Sequence, residues 1–229
     1  FVVFLAAGTQ SKAAVNMGVK QTGAGSSYVD LAWDAQLGAG HYHTQFSQDG
    51  KNWIDMDNSS SPSESVYNLT QGASYYARVV AYKGSHYTGT HVMIGVSETA
   101  IVSTKPTEVS GLTQTAAGVN SISMSWNASA GAASYVIYGY INYNWTQIGT
   151  SATNSATITG VAATTSTRFS VAAVKNVTGG TVTGDQCSGV EMKAIPIKVS
   201  RIAMQYYWDS LKEAKYIWTD VTNADGYQY

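Results

Sequence analysis

Three tryptophans set the frame of this chain. Trp33, Trp126 and Trp218 stand 93 and then 92 residues apart, and a tyrosine follows each of them nine residues later, as Tyr42, Tyr135 and Tyr227. A period near 90 residues, anchored on matched large aromatics, marks tandem copies of one small domain. Lys12, Gly18, Gln21-Thr22 and Ala24-Gly25 recur 93 residues on as Lys105, Gly111, Gln114-Thr115 and Ala117-Gly118. Downstream the offset becomes 92, so that Trp53 answers to Trp145, Leu69 to Val161, Val79 to Val171 and Ala81 to Ala173. One residue is lost between the tyrosine and the second tryptophan, and an indel between fixed anchors places a loop there. A third copy opens with Pro196, Val199 and Ile202, which match Pro106, Val109 and Leu112 at an offset of 90, and runs to Trp218 and Tyr227.

Within each copy, hydrophobic and polar residues alternate. In Tyr28-Val29-Asp30-Leu31-Ala32-Trp33 the residues Val29, Leu31 and Trp33 share a face, and in Ser121-Ile122-Ser123-Met124-Ser125-Trp126 every outward position is serine. A period of two is that of a half-buried strand in an antiparallel sheet. The run from Tyr75 to Ala81 repeats the pattern, with Tyr75, Ala77, Val79 and Ala81 inward. Gly, Ser, Thr and Asn clusters separate the runs, and neither complete copy carries an amphipathic helical pattern. Several short strands per period predict an all-β, two-sheet sandwich in each copy.

The arrangement resembles bacterial fibronectin type III domains. The likeness rests on Pro106-x-x-Val109-x-x-Leu112 for the first strand, Ile122-x-Met124-x-Trp126 for the second and Gly131-Ala132-x-x-Tyr135-x-Ile137-Tyr138 for the third. Leu69, ahead of Tyr75, resembles that family's tyrosine corner, in which a phenol ties back to upstream backbone. The second copy departs from it, with Val161 and Thr167 at the corner positions. The resemblance implies tandem immunoglobulin-like (fibronectin type III) antiparallel β-sandwiches, two complete (14–104 and 105–194) and one truncated (195–229). It makes Trp33, Trp126, Trp218, Tyr42, Tyr135, Leu69 and Tyr75 structural residues. Trp218, in the short third copy, is expected to lack an opposing sheet. Phe1-Val2-Val3-Phe4-Leu5-Ala6-Ala7-Gly8 stands outside the repeat, and residues 1–13 read as the remnant of a signal peptide or as the end of a preceding segment.

Composition narrows the class further. Net charge is −1 and only 12% of residues are charged, which leaves no electrostatic footprint for nucleic acid or an acidic membrane. One cysteine, Cys187, excludes an intrachain disulfide framework. The apolar start is too short to span a bilayer, so no membrane insertion is expected of the mature chain. A hydroxyl-rich, disulfide-free β repeat fits a bacterial protein that is secreted or held at the cell surface.

Candidate chemistry is sparse. The four histidines, His41, His43, His86 and His91, lie in the first copy, and His41 and His43 flank the inward Tyr42 on one outward strand face. They are weak metal candidates, because no acidic or cysteine partner stands at ligand spacing and solvated strand histidines are common. Asp55-x-Asp57-Asn58 lacks the glycine and terminal glutamate of a calcium loop. No paired carboxylates, catalytic triad or phosphate-binding glycine motif is recognisable, so no enzyme activity and no cofactor are expected. The informative surplus is aromatic, with 16 tyrosines and 6 tryptophans against 4 phenylalanines. Tyr138, Tyr140, Tyr143 and Trp145 in the second copy, and Tyr76, Arg78 and Tyr82 in the first, are placed outward as candidate ligand contacts, with Arg168 and Ser170 as neighbours of Tyr138 and Tyr140. Rings with a polar handle suit stacking on sugars or anchoring a protein contact; the structural alternative is that tyrosine is a favoured strand former. The resulting reading is a non-catalytic extracellular array acting as spacer, adhesion or scaffold modules, whose partner is an extracellular protein or a polysaccharide. The alternative is a set of accessory modules, glycan-binding among them, of a carbohydrate-active enzyme whose catalytic domain lies elsewhere.

Overall fold

The computed structural model of the chain describes residues 14–84, 92–161, 166–195, 201–208, 210 and 212–218. Among them every regular element is a β-strand. The chain divides into two compact units. The first is drawn from residues up to Thr107 with Ala130–Ala133 and Val174–Asp185; the second takes in Glu108–Ser129, Ser134–Ala173 and residues from Gln186 on.

The first copy is made of β1 (Lys20–Ala24), β2 (Val29–Ala32), β3 (His41–Ser47), β4 (Ile54–Ser59), β5 (Ser63–Val66), β6 (Ser74–Lys83), β7 (Val92–Val96) and β8 (Ala100–Ser103). They pair as one sheet in the order β1-β2-β5 and a second in the order β4-β3-β6-β7, with β8 also on β6. The alternation explains how the sheets meet. Val29, Leu31 and Val66 from one, and Tyr42, Phe46, Ala77, Val79, Ala81 and Val102 from the other, form a single buried cluster. One core shared by two sheets is a sandwich.

The second copy follows the same plan: β9 (Thr113–Gly118), β10 (Ser121–Ser125), β11 (Ser134–Ile141), β12 (Asn144–Ser151), β13 (Ser155–Thr159), β14 (Thr167–Val177), β15 (Gly180–Thr183) and β16 (Val190–Met192). The sheets run β13-β10-β9 and β12-β11-β14-β15, with β16 on β14. Ile122, Met124, Tyr135, Ile137, Phe169, Val171 and Ala173 are buried at the positions the alternation assigns inward.

The repeated residues recur in repeated geometry. Trp33 meets Tyr42 edge-on at 5.4 Å and 67°, and Trp126 meets Tyr135 at 5.3 Å and 68°. The backbone N–H groups of Gln36 and Ser129 donate to those two phenol oxygens, each at 3.0 Å. Gln21 grips the last strand of its sandwich: its amide donates to the Ser103 carbonyl at 2.8 Å and accepts the Ser103 N–H at 2.9 Å. Gln114 grips Lys193 in the same way, at 2.8 and 3.1 Å. Gly18 and Gly111 both take positive φ, 54° and 68°. A Cβ at either would stand only 2.8 or 2.6 Å from the Asp34 or Asn127 side chain, so two separate demands fix glycine there. At the corner, the Thr70 N–H donates to the Tyr75 phenol oxygen at 3.0 Å, with Leu69 buried beside it.

One expectation needs correction. Residues 104–112 form no strand, although Pro106, Val109 and Leu112 are buried. Pro106 has no N–H to give a ladder and Gly111 turns the backbone out of the extended region, so pairing begins only at Thr113. The third aromatic anchor is not a core residue. β17 (Ile202–Trp208) and β18 (Glu213–Trp218) form a two-stranded hairpin in which Trp218, opposite Ile202, is 38% exposed. Among the described residues these two strands supply a single layer, which leaves the indole partly exposed. Tyr227 lies outside the described residues.

Candidate functional site

The outward face of the first copy is built by β3 and β6, whose register sets His41 opposite Tyr82, His43 opposite Val80, Gln45 opposite Arg78 and Ser47 opposite Tyr76. The histidines are packed and not solvated, against the sequence expectation. His41 is buried and stacks on Tyr82 at 5.2 Å and 11°, while the His43 ring lies 4.9 Å from Tyr82 and 5.4 Å from His41. The Gly84 carbonyl can only accept, so His41 Nδ1, at 2.9 Å, carries the proton. Among the described residues no three His, Cys, Asp or Glu side chains gather into a metal site; His86 and His91 lie outside them.

Beside this stack Arg78 is pinned. Its guanidinium lies 4.0 Å from the centre of the Trp53 ring. Its Nε donates to Gln45 Oε1 at 2.8 Å, and Gln45 Nε2 donates to Asp55 Oδ1 at 2.7 Å. Burial pulls the Arg78 pKa down, partly offset by the Asp55 charge. Burial, with Asp55 adding to it, pushes the Tyr82 phenol up. Trp53 therefore spends one ring face on an internal cation, and the face of the first copy is largely satisfied from within. Tyr76 remains 39% exposed.

The second copy leaves the equivalent region open. β11 and β12 continue to a two-residue turn, with Ile141 paired to Asn144, Tyr140 to Trp145 and Tyr138 to Gln147. Directly paired residues share a face, as do residues two apart on a strand. Tyr138, Tyr140, Trp145 and Gln147 thus stand on one side of the hairpin. Tyr140 and Trp145 meet edge-on at 5.3 Å and are 39% and 37% exposed, while Tyr143 at the tip is 90% exposed. The turn residues Asn142 and Tyr143 both have positive φ, 49° and 64°. The Trp145 ring also lies against Gly189, where a Cβ would come within 2.8 Å of it. Arg168 is exposed, reaches the Gly189 carbonyl only at 3.5 Å, and pairs in register with Glu191. Ser170 does not join this face: it is buried, and its hydroxyl donates to the Cys187 carbonyl at 2.7 Å.

Some features lay beyond the sequence reading. Gln45 and Asp55 hold Arg78 only because β4 pairs with β3, and nothing in the local sequence marks them. Gly189 seats Trp145 from 44 residues away. Asp49 organises the β3–β4 loop, accepting the Lys51 and Asn52 N–H groups at 2.8 Å each and the Ser47 hydroxyl at 2.9 Å. The Asn52 backbone, followed by these other donors, holds its carboxyl far below the usual carboxylate range. The Asp49-Gly50 turn signal was there to be read.

No family model matches this chain, and no curated protein matches it. Among solved structures it is similar to the FN1–FN3 domains of chicken CNTN1, at 14% identity over 80% of this chain and 68% of that one, with a TM-score of 0.44. It is also similar to a two-domain fibronectin type III segment of chicken tenascin, at 17% identity over 77% and 97% of the two chains and a TM-score of 0.39. A variant named FN3tt covers 39% of this chain and 97% of its own, at 18% identity and a TM-score of 0.35.

Proposed function

We propose that these sandwiches are non-catalytic modules of an exported bacterial protein, serving as spacers and as an adhesive surface, with the direct contact made by the second copy. One observation carries the reading. Two copies of one plan bear aromatic residues on the same outward region; the first leaves Tyr76 exposed there, whereas the second presents Tyr140, Tyr143 and Trp145 to solvent on a single hairpin. In the first copy the corresponding Trp53 is covered by Arg78. Exposed tryptophan and tyrosine on a rigid strand pair supply contact area at little entropic cost. The accessory-module reading, in which the same face helps a carbohydrate-active enzyme hold its substrate, draws on the same rings. Glycan-array binding and surface-wide crosslinking of the whole chain test the proposal. A partner captured by the wild type and lost by Tyr138→Ala/Tyr140→Ala is the expected result. Capture of nothing, or capture unchanged by that pair, would make the rings structural and the modules spacers.

A further inference from the structure

We infer that the tip of the β11–β12 hairpin is a stacking site for an uncharged polysaccharide, with Tyr143 and Trp145 as its principal contacts. The inference rests on the adhesive reading above and assigns its ligand class. Three observations point the same way. The first is backbone conformation. A two-residue turn with positive φ at both positions favours Asn-Gly or Asp-Gly, and Asn142 obeys. Tyr143 does not: a bulky side chain held at φ 64° is strained, and at 90% exposure it gains almost nothing from packing. Strain at a loop tip without a packing return is characteristic of a residue kept for what it touches.

The second is how Trp145 is held. Tyr140 abuts it edge-on, and Gly189 lets the indole lie against bare backbone where any other residue would push it away. The ring is set in place before a ligand arrives.

The third is charge. From Ser134 to Ser151 there is no Asp, Glu, Lys, Arg or His; beside the hairpin stand one cation, the exposed Arg168, and one anion, its cross-strand neighbour Glu191. The polar groups that the hairpin itself sets around the rings are amides, exposed Asn142, Asn144 and Gln147, each able to donate to and accept from hydroxyls. Rings for the C–H faces of a sugar and amides for its hydroxyls, on a hairpin without charge and with one residue of each sign on the strands beside it, match a neutral glycan.

The test is migration of the whole chain through native gels containing a soluble neutral polysaccharide (a β-glucan, a xylan or a galactomannan), with polygalacturonate as the carboxylated control. Tyr143→Gly and Tyr143→Asn remove the ring while easing the turn. Retention by a neutral polysaccharide, weakened about fivefold in both variants as expected for one lost ring contact, with an unchanged or higher unfolding midpoint, supports the inference. Retention unaffected by either variant and by Trp145→Phe overturns the site while leaving adhesion intact. Retention by polygalacturonate alone overturns the neutral ligand class. A protein partner captured without any polysaccharide overturns the glycan and keeps the adhesive face; capture of neither overturns both.

Discussion

Gln21 and Gln114 each act as a one-residue strand, presenting a donor and an acceptor to the backbone of the closing strand. Their environments differ, since the Gln21 bonds are partly buried and the Gln114 bonds are exposed. Gln21→Leu leaves both backbone groups of Ser103 without that partner and is expected to cost about 1–3 kcal/mol in urea unfolding, whereas Gln114→Leu, where water can substitute, should cost about 1 kcal/mol or less. Tyr75→Phe removes the acceptor for the Thr70 N–H and should cost about 1 kcal/mol by the same measurement. The identity of the two glutamines at one offset was plain in the sequence, but their job was not, because it depends on a strand some eighty residues away. Asp49 adds a pH dependence whose sign follows from its depressed pKa. A carboxylate more acidic in the folded than in the unfolded state contributes stability above the unfolded value, near 4, and loses it as pH falls below that. The unfolding midpoint of the wild type should drop more steeply below about pH 4 than that of Asp49→Asn, and parallel curves would show that the turn adds nothing.

At the scale of elements, the one-residue offset between the copies marks a change of device. The first copy joins its third and fourth strands by a loop tied down by Asp49; the second zips the same pair to a tight turn. The alternation and the anchors sufficed to place β2, β3, β6, β10 and β11, since each has one wet and one dry face. They misplaced the segment before β9, where Val109 and Leu112 are buried without being paired. Burial leaves the same mark on sequence whether or not a ladder follows. Outward burial was equally hidden: His41 and Val80 lie on the face assigned to solvent and are nonetheless buried, His41 beneath the stacked Tyr82 ring. For the Arg78–Trp53 stack, Arg78→Lys keeps the charge but loses the planar guanidinium and its hydrogen bond to Gln45. A double-mutant cycle of Arg78→Lys with Trp53→Leu should give a coupling of about 0.5–1 kcal/mol. Strict additivity would mean that the stack is incidental.

For the molecule as a whole, the charge distribution decides what kind of association these modules can sustain. With 13 basic and 14 acidic residues among 229, the chain holds neither a net field nor a large reservoir of counterions to release. A contact through the charge-free β11–β12 hairpin would draw instead on ring burial and hydroxyl–amide bonding, neither of which salt screens. Retention of the whole chain by its ligand should therefore stay within about twofold between about 50 and about 500 mM salt, where a protein holding phosphates or carboxylates through several lysines loses orders of magnitude. Kosmotropic sulfate should, if anything, strengthen it by favouring burial of the rings. Titration of the ligand at fixed pH in sodium chloride and in sodium sulfate measures both effects. A steep fall with chloride would move the contact away from Tyr143 and Trp145 to the basic groups beyond the hairpin, with Arg168 the first to substitute.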